Sequence, residues 1–401
     1  MAAHRMDAEK SGNVKYYSLD FWRGVACLIV IVFHSTLYVA TESLDDRIKH
    51  VPGSSAAEWL IWISSRFWIG VPMFFVISGY CIAASADTYR RLGLSVSQYF
   101  NRRLRRIYPP LWGFLAMFVL FVGGVEILWP RIFSDSNHPI RRPWGVPLWG
   151  WFGSLTLTET WRRHVIGGDF APLFGHLWTL CYEEQFYIVV GLLLLISRRR
   201  FFLNALALTA FVAVVCGVVP RHLVNGFFFD GMWLQFAAGM AVFHAVNHSG
   251  DRGRRFVTAI LGGAFLYQLR NREALVAFSY NPTQSFTAAF AFASLLLLLH
   301  RYDLRIHSAL WARPIAWCGR MCYSLYLAHW PIAKLVSHSL FRAGVESPLA
   351  TLALTAPVSL MLCVVAGWGF HITVERRFLN TPSTPAVVKD LVKEPSLAVS
   401  V

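Results

Sequence analysis

Apolar stretches of about twenty residues recur along this chain, the length that a helix needs to cross the hydrocarbon core of a bilayer. The blocks fall at roughly 17–40, 58–84, 109–128, 176–197, 202–219, 229–247, 256–270, 285–300, 314–339 and 350–374. Composition agrees: of 401 residues, 56% are hydrophobic and only 15% charged, whereas a soluble domain carries about a quarter charged residues. That balance excludes a disordered chain, a collagen and an ordinary soluble enzyme. The expected fold is all-α, a polytopic membrane bundle of about ten transmembrane helices.

The basic residues test the topology. Arg90, Arg91, Arg102, Arg103, Arg105 and Arg106 lie between blocks two and three, and Arg198–Arg200 between four and five. Further clusters follow at Arg252–Arg255, Arg301–Arg313 and Arg376–Arg377. Every second connection is basic, which puts these segments and both termini in the cytoplasm. The same alternation explains the net charge of +15 without a basic face of the kind that binds nucleic acid. The connection 129–175 is the exception, placed outside although it carries Arg131, Arg141, Arg142, Arg162 and Arg163.

Three regions are expected: a cytoplasmic segment 1–15, a membrane domain 16–378 and a disordered cytoplasmic tail 379–401 with three prolines. Residues 95–108 are expected to form a basic interfacial helix, and 147–161 a re-entrant or surface helix. Cys27, Cys81, Cys181, Cys216, Cys318, Cys322 and Cys363 all lie in apolar stretches without metal-ligand spacing. They are expected as small buried side chains, with no disulfide and no metal.

Ionisable groups inside spans are costly and face a cavity or a partner, so they point to function. In the first block, Arg23 and His34 are eleven residues apart; at 100° per residue they come within about 20° of one line, about 16 Å apart along the axis. Asp20 lies near the same line. In the fourth block, His176, Glu183 and Tyr187 share one helical face, and a carboxylate there suits a neighbouring imidazole, whose tautomer it would fix. Tyr326 and His329 share a face just before Pro331. Ser78 and Gly79 make a small-residue notch that admits a main chain or a ligand. The run Arg102-Arg103-Leu104-Arg105-Arg106 suits a multiply phosphorylated cytoplasmic ligand or anionic headgroups, because guanidinium forks match phosphate.

Together these segments resemble the membrane-bound acyltransferase-3 family, bacterial O-acyltransferases of polysaccharides and related acceptors. The resemblance runs over about residues 15–378 and rests on five blocks in order: Leu19-Asp20-x-x-Arg23-Gly24 through His34, Phe74-Phe75-x-x-Ser78-Gly79, Arg103-x-x-Arg106-Ile107-x-Pro109, His176-x-Trp178-Thr179-Leu180-x-x-Glu183-x-x-Phe186-Tyr187, and Tyr323-Ser324-x-Tyr326-Leu327-x-His329. Trp22, Thr179 and Tyr80 depart from the usual residues without removing an ionisable group.

The resemblance implies acyl-CoA, foremost acetyl-CoA, as donor, a glycan or lipid-linked acceptor, and residence in the inner (cytoplasmic) membrane. It implies a transfer-essential histidine and arginines on the CoA, matching His34 with Arg23, Arg103 and Arg106. His34 is expected as general base oriented by Glu183 or Asp20, with Ser78 or Tyr326 donating to the oxyanion. Ser78, His176, Tyr187, Tyr326 and His329 complete the site as substrate-binding residues. No fused esterase-like domain is expected after the last span. The rival expectation from another class, a flippase for a lipid-linked glycan intermediate, would place intramembrane charges symmetrically in two halves; here they concentrate in the first and fourth blocks.

Overall fold

The computed structural model describes residues 16–37, 55–129, 142–168, 172–269, 282–345 and 347–379. The expected N-terminal segment, all but the first residue of the expected tail, and Arg131 and Arg141 lie outside the described residues. Among the described residues there are helices and no strands.

The first helix, α1 (Leu19–Leu37), starts on a carboxylate. Asp303 accepts the main-chain N–H groups of Tyr17 at 2.7 Å and Ser18 at 2.8 Å, where a helix start has donors to spare. The short α2 (Ala56–Ser64) leads through a 3₁₀ turn into α3 (Gly70–Leu92). That helix ends at Gly93, whose φ of 65° is the left-handed conformation that glycine adopts without strain. In its last turns, buried Asp87 holds Arg90 and Arg91 at 2.6 and 2.9 Å.

Ser95 caps α4 (Val96–Leu128) by accepting the Gln98 N–H at 3.2 Å. One helix of 33 residues therefore replaces the expected interfacial segment and separate span. The boundary was expected at Pro109-Pro110, but both prolines sit inside the helix. A helix inside a bundle can carry proline without breaking, and Tyr323 of a neighbouring helix packs at this level, donating to the Ile107 carbonyl at 2.8 Å.

The expected surface segment forms two short helices, α5 (Leu148–Thr156) and α6 (Glu159–Val165). The second is anchored by the buried Arg162–Glu159 pair at 3.1 Å. Then come α7 (Trp178–Ile196), α8 (Phe201–Val218), α9 (Met232–Asn247), α10 (Asp251–Leu269) and α11 (Pro282–Leu299). The short α12 (Asp303–Ser308) precedes α13 (Ala312–Arg320), α14 (Cys322–Arg342) and α15 (Ala356–Thr373).

Seven helices among the described residues are long and apolar enough to cross a membrane: Leu19–Thr36, Glu58–Leu92, Val96–Leu128, Gly175–Ile196, Phe201–Val218, Ser285–Ser308 and Thr351–Arg377. The other three expected spans are also helices, each with a reason for falling short. At 16 residues α9 is brief, and it is packed inside the protein around Trp233, Phe236 and Phe243. Helix α10 opens on Asp251, Arg252, Arg254 and Arg255. The expected span 314–339 is divided at Met321 into α13 and α14, and α14, though 21 residues long, carries His329, Lys334, His338 and Arg342.

Main chains approach closely at several points among the described residues, which is how helices pack closely in a membrane. At the crossing of α1 with α13, a Cβ on Gly24 would collide with the Ile315 carbonyl, and one on Gly319 with that of Asp20. Where α3 meets α9, Gly79 lies on the Phe236 carbonyl and Gly239 on that of Val76. Four cysteines (Cys27, Cys181, Cys318 and Cys363) are buried as expected. Cys81 and Cys322 are half-buried, and Cys216 faces outward, contrary to the expectation for it, from a helix with only Phe201, Ala205 and Val212 buried.

The glycine crossings yield a stability prediction. Gly79→Val should drive methyl groups into the α9 main chain and lower the thermal midpoint of the purified protein, at a cost of about 1–3 kcal/mol or more. Gly262→Ala, where nothing lies within 4 Å, should leave that midpoint unchanged or slightly raised. A thermal-shift measurement on both variants checks it.

Candidate active site

Helices α1, α3, α4, α7 and α14 enclose a cavity of about 260 Å³. One end is cationic, with Arg23, Arg103 and Arg106 on its wall. Arg23 is held by Asp20 at 2.8 Å and donates to the Cys81 Sγ at 2.9 Å. Arg103 lies over the rings of Tyr99 and Tyr187, 5.7 and 5.1 Å from their centroids, which places its charge on aromatic faces.

Glu183 lines the same cavity from α7. Its Oε1 accepts from Ser78 at 2.7 Å and from Tyr187 at 2.6 Å, so hydroxyls from α3 and α7 converge on one carboxylate oxygen. Glu184 turns away to the Tyr108 hydroxyl of α4.

At the far end three imidazoles meet. His34 and His329 have ring centroids 5.0 Å apart, and His329 and His176 5.1 Å. The Nδ1 of His34 faces the Val30 carbonyl at 3.0 Å, and that of His329 the Tyr326 carbonyl at 2.6 Å. A carbonyl oxygen only accepts, so each Nδ1 carries a proton, and in the neutral form of either ring the lone pair lies on Nε2. His176 stacks on Trp330 with centroids 5.7 Å apart. Tyr326 donates to the His176 carbonyl at 2.5 Å and receives the Thr179 hydroxyl at 2.9 Å; the hydroxyl at the position where Thr179 departs from the family pattern thus braces the tyrosine.

The structure therefore brings Arg23, Arg103, Arg106, Ser78, Glu183, Tyr187, His34, His176, Tyr326 and His329 to one cavity wall. Asp20 is not on that wall and reaches it through Arg23. At His34 the contact made by Nδ1 is the Val30 main-chain carbonyl, where a Glu183 or Asp20 carboxylate was expected. Glu183 is engaged by Ser78 and Tyr187, and it lies within α7, whereas His176 sits in the 3₁₀ turn Gly175–Leu177 that precedes that helix. The expected oxyanion donors differ as well, since the Ser78 and Tyr326 protons are directed at Glu183 and the His176 carbonyl.

Trp68, Cys81, Cys322, Tyr323 and Trp330 line the cavity too and were not singled out as site residues from the sequence. The spacing of Cys322 and Tyr323 ahead of Tyr326 on α14 was the available signal for those two. Among the described residues no cluster of ligands that could hold a metal is present.

A family model described as an acyltransferase domain matches residues 16–368. The provisionally named membrane-bound transacylase BcsY of Komagataeibacter xylinus is 27% identical over 365 residues, covering 86% of this chain and 81% of that protein. The O-acetyltransferase OatA of Staphylococcus aureus is 24% identical over 355 residues, covering 80% of this chain and 53% of that protein. The peptidoglycan O-acetyltransferase OatA of Listeria monocytogenes is 25% identical over 311 residues, 69% of this chain and 46% of that protein. The chain thus spans about half the length of the two OatA proteins. No solved structure matches it. With the family model covering most of its length and the apolar helices that carry the cavity, the chain belongs to the acyltransferase-3 family and is a multi-pass membrane acyltransferase.

Proposed function

We propose that the chain is an O-acyltransferase of the inner membrane that moves an acyl group, foremost acetyl, from cytoplasmic acyl-CoA to a hydroxyl of a cell-envelope polysaccharide, glycolipid or related acceptor. The observation that carries this reading is the single cavity joining Arg23, Arg103 and Arg106 to His34. Arg23 and His34 are eleven residues apart on one helix, about 16 Å of rise. The names of the relatives support the O-acetyl chemistry and, for the Listeria protein, a glycan acceptor.

In this reading the basic end faces the cytoplasm and takes the phosphates of CoA, for which guanidinium forks are suited in charge and shape. The pantetheine arm runs past Ser78, Glu183 and Tyr187. Its thioester reaches the imidazoles, where the acceptor enters from the opposite side. The acceptor hydroxyl gives its proton to Nε2 of His34 and forms the new C–O bond at the thioester carbonyl carbon. The C–S bond breaks, and the departing CoA sulfur recovers the proton from the imidazolium. The Val30 carbonyl does for His34 what a carboxylate does in many sites: it holds the ring and its tautomer. Asp20 acts as a positioning residue for Arg23, and Glu183 as one for Ser78 and Tyr187 on the donor path.

Three outcomes test the proposal. His34→Gln should lower kcat for acetyl transfer by about 10²–10⁴, the usual yield of a general base, with acetyl-CoA affinity kept; near wild-type turnover would refute the assignment. Arg103→Ala should raise KM for acetyl-CoA by about 10–100-fold, the loss of one charge-assisted hydrogen bond of about 1.5–3 kcal/mol, with a smaller change in kcat. Single cysteines placed at Arg91 and at Trp144 in a cysteine-free background should label from opposite sides of the membrane, with position 91 accessible from the cytoplasm; labelling from the same side would overturn the orientation.

A further inference from the structure

Attack on a thioester turns its carbonyl oxygen into an oxyanion, and a site that speeds this step holds a donor ready for that oxygen. Among the hydroxyls and imidazoles that line the cavity, nearly every proton is already committed. The hydroxyls of Ser78 and Tyr187 go to Glu183, and that of Thr179 to Tyr326. Those of Tyr326 and Tyr323 go to the carbonyls of His176 and Ile107. The Nδ1 protons of His34 and His329 go to the carbonyls of Val30 and Tyr326.

His176 is the exception. It is 6% exposed, it lines the cavity, and neither ring nitrogen has a hydrogen-bond partner. An imidazole always carries at least one N–H, so a buried donor stands here without a protein acceptor, whichever nitrogen holds it. Buried polar groups are nearly always paired, and an unmet one costs about 1–3 kcal/mol. The Nε2 of His329 is buried without a partner as well. In the neutral ring, with the proton on Nδ1, that nitrogen only accepts and has nothing to give an oxyanion.

The His176 ring is also held firmly. It stacks on Trp330 with centroids 5.7 Å apart and makes an edge contact with the Tyr326 ring at 5.0 Å. Trp330 is fixed in turn by Lys334, whose Nζ lies 4.0 Å from its ring centroid. His329 stands 5.1 Å from His176 and 5.0 Å from His34, centroid to centroid, so His176 and His34 share one end of the cavity.

Resting on the acyl-transfer reading above, we infer that His176 is a further catalytic residue, the hydrogen-bond donor to the thioester carbonyl oxygen in the transition state. As the acceptor oxygen bonds to the carbonyl carbon, an electron pair moves onto the carbonyl oxygen, and the His176 N–H meets it. The pair then returns and the C–S bond breaks. The sulfur leaves with its electrons and takes the acceptor's proton from His34.

The test uses the full chain in lipid nanodiscs, methyl β-D-glucopyranoside as acceptor probe, and two donors. One is acetyl-CoA; the other is its dithioester, in which a sulfur that accepts hydrogen bonds poorly replaces the carbonyl oxygen. The two ester products are quantified by mass spectrometry, and alkaline hydrolysis of the same donors gives the ratio of their intrinsic rates. In the wild-type protein the oxygen-to-sulfur rate ratio should exceed that intrinsic ratio about 10–100-fold, the worth of one hydrogen bond to a charged group. Equal ratios overturn the inference, and that comparison needs no variant to fold. His176→Phe should lower kcat by about 10²–10³, keep KM for acetyl-CoA, and bring the ratio down to the intrinsic value. His176→Asn, which keeps an N–H, should retain part of the rate and part of the ratio. A merely structural role would slow both donors together and preserve the ratio in His176→Phe, which overturns the assignment. Ester from neither donor in the wild-type protein overturns the acyl-transfer reading of the cavity, and the inference with it.

Discussion

Close approach of main chain to main chain at helix crossings governs where the cavity residues stand. Gly24 and Gly319 bring α1 against α13, and Gly79 and Gly239 bring α3 against α9. Each crossing lies beside a cavity residue, since Arg23 precedes Gly24 and Ser78 precedes Gly79. In lipid no hydrophobic drive pushes helices together, so close main-chain approach and the dispersion it permits have to supply the adhesion. The glycines do this on the outer side of α1 and α3, and the polar neighbours are turned inward by the 100° between successive helical residues. Packing and chemistry are written in consecutive letters.

The polar groups show a division of labour along the cavity. At the cationic end, carboxylates neutralise and tether: Asp20 on Arg23, with Glu183 gathering Ser78 and Tyr187. At the other end among the described residues, the imidazoles are oriented by carbonyls of their own helices, at Val30 and Tyr326. A carbonyl fixes the ring orientation and the Nδ1 proton without adding a charge, whereas a carboxylate would do so and also stabilise the protonated ring.

Much of this was legible before any coordinates. Helical periodicity aligned Arg23 with His34 and Glu183 with Tyr187, because those pairs lie on single helices and obey a fixed angle per residue. Convergence of His34, His176 and His329 was not legible, since they come from three helices distant in sequence and no local period relates them. Pro109-Pro110 read as a boundary because proline removes a main-chain donor, yet α4 runs through it beside the Tyr323 hydroxyl. The interruption at Met321 carries neither proline nor glycine at the break itself, so a single apolar block concealed two helices. The glycines were visible as small residues, but only tertiary structure says which carbonyl each one admits.

The carboxylate of Asp303 clasps the two N–H groups just ahead of α1, far along the helix from the imidazole it carries. A screw motion of α1 by one residue would swing His34 through 100° and advance it 1.5 Å, turning the ring out of the chamber towards lipid. The clasp therefore acts as an indexing pin. A contact outside the cavity thus decides whether the His34 ring faces its chamber at all.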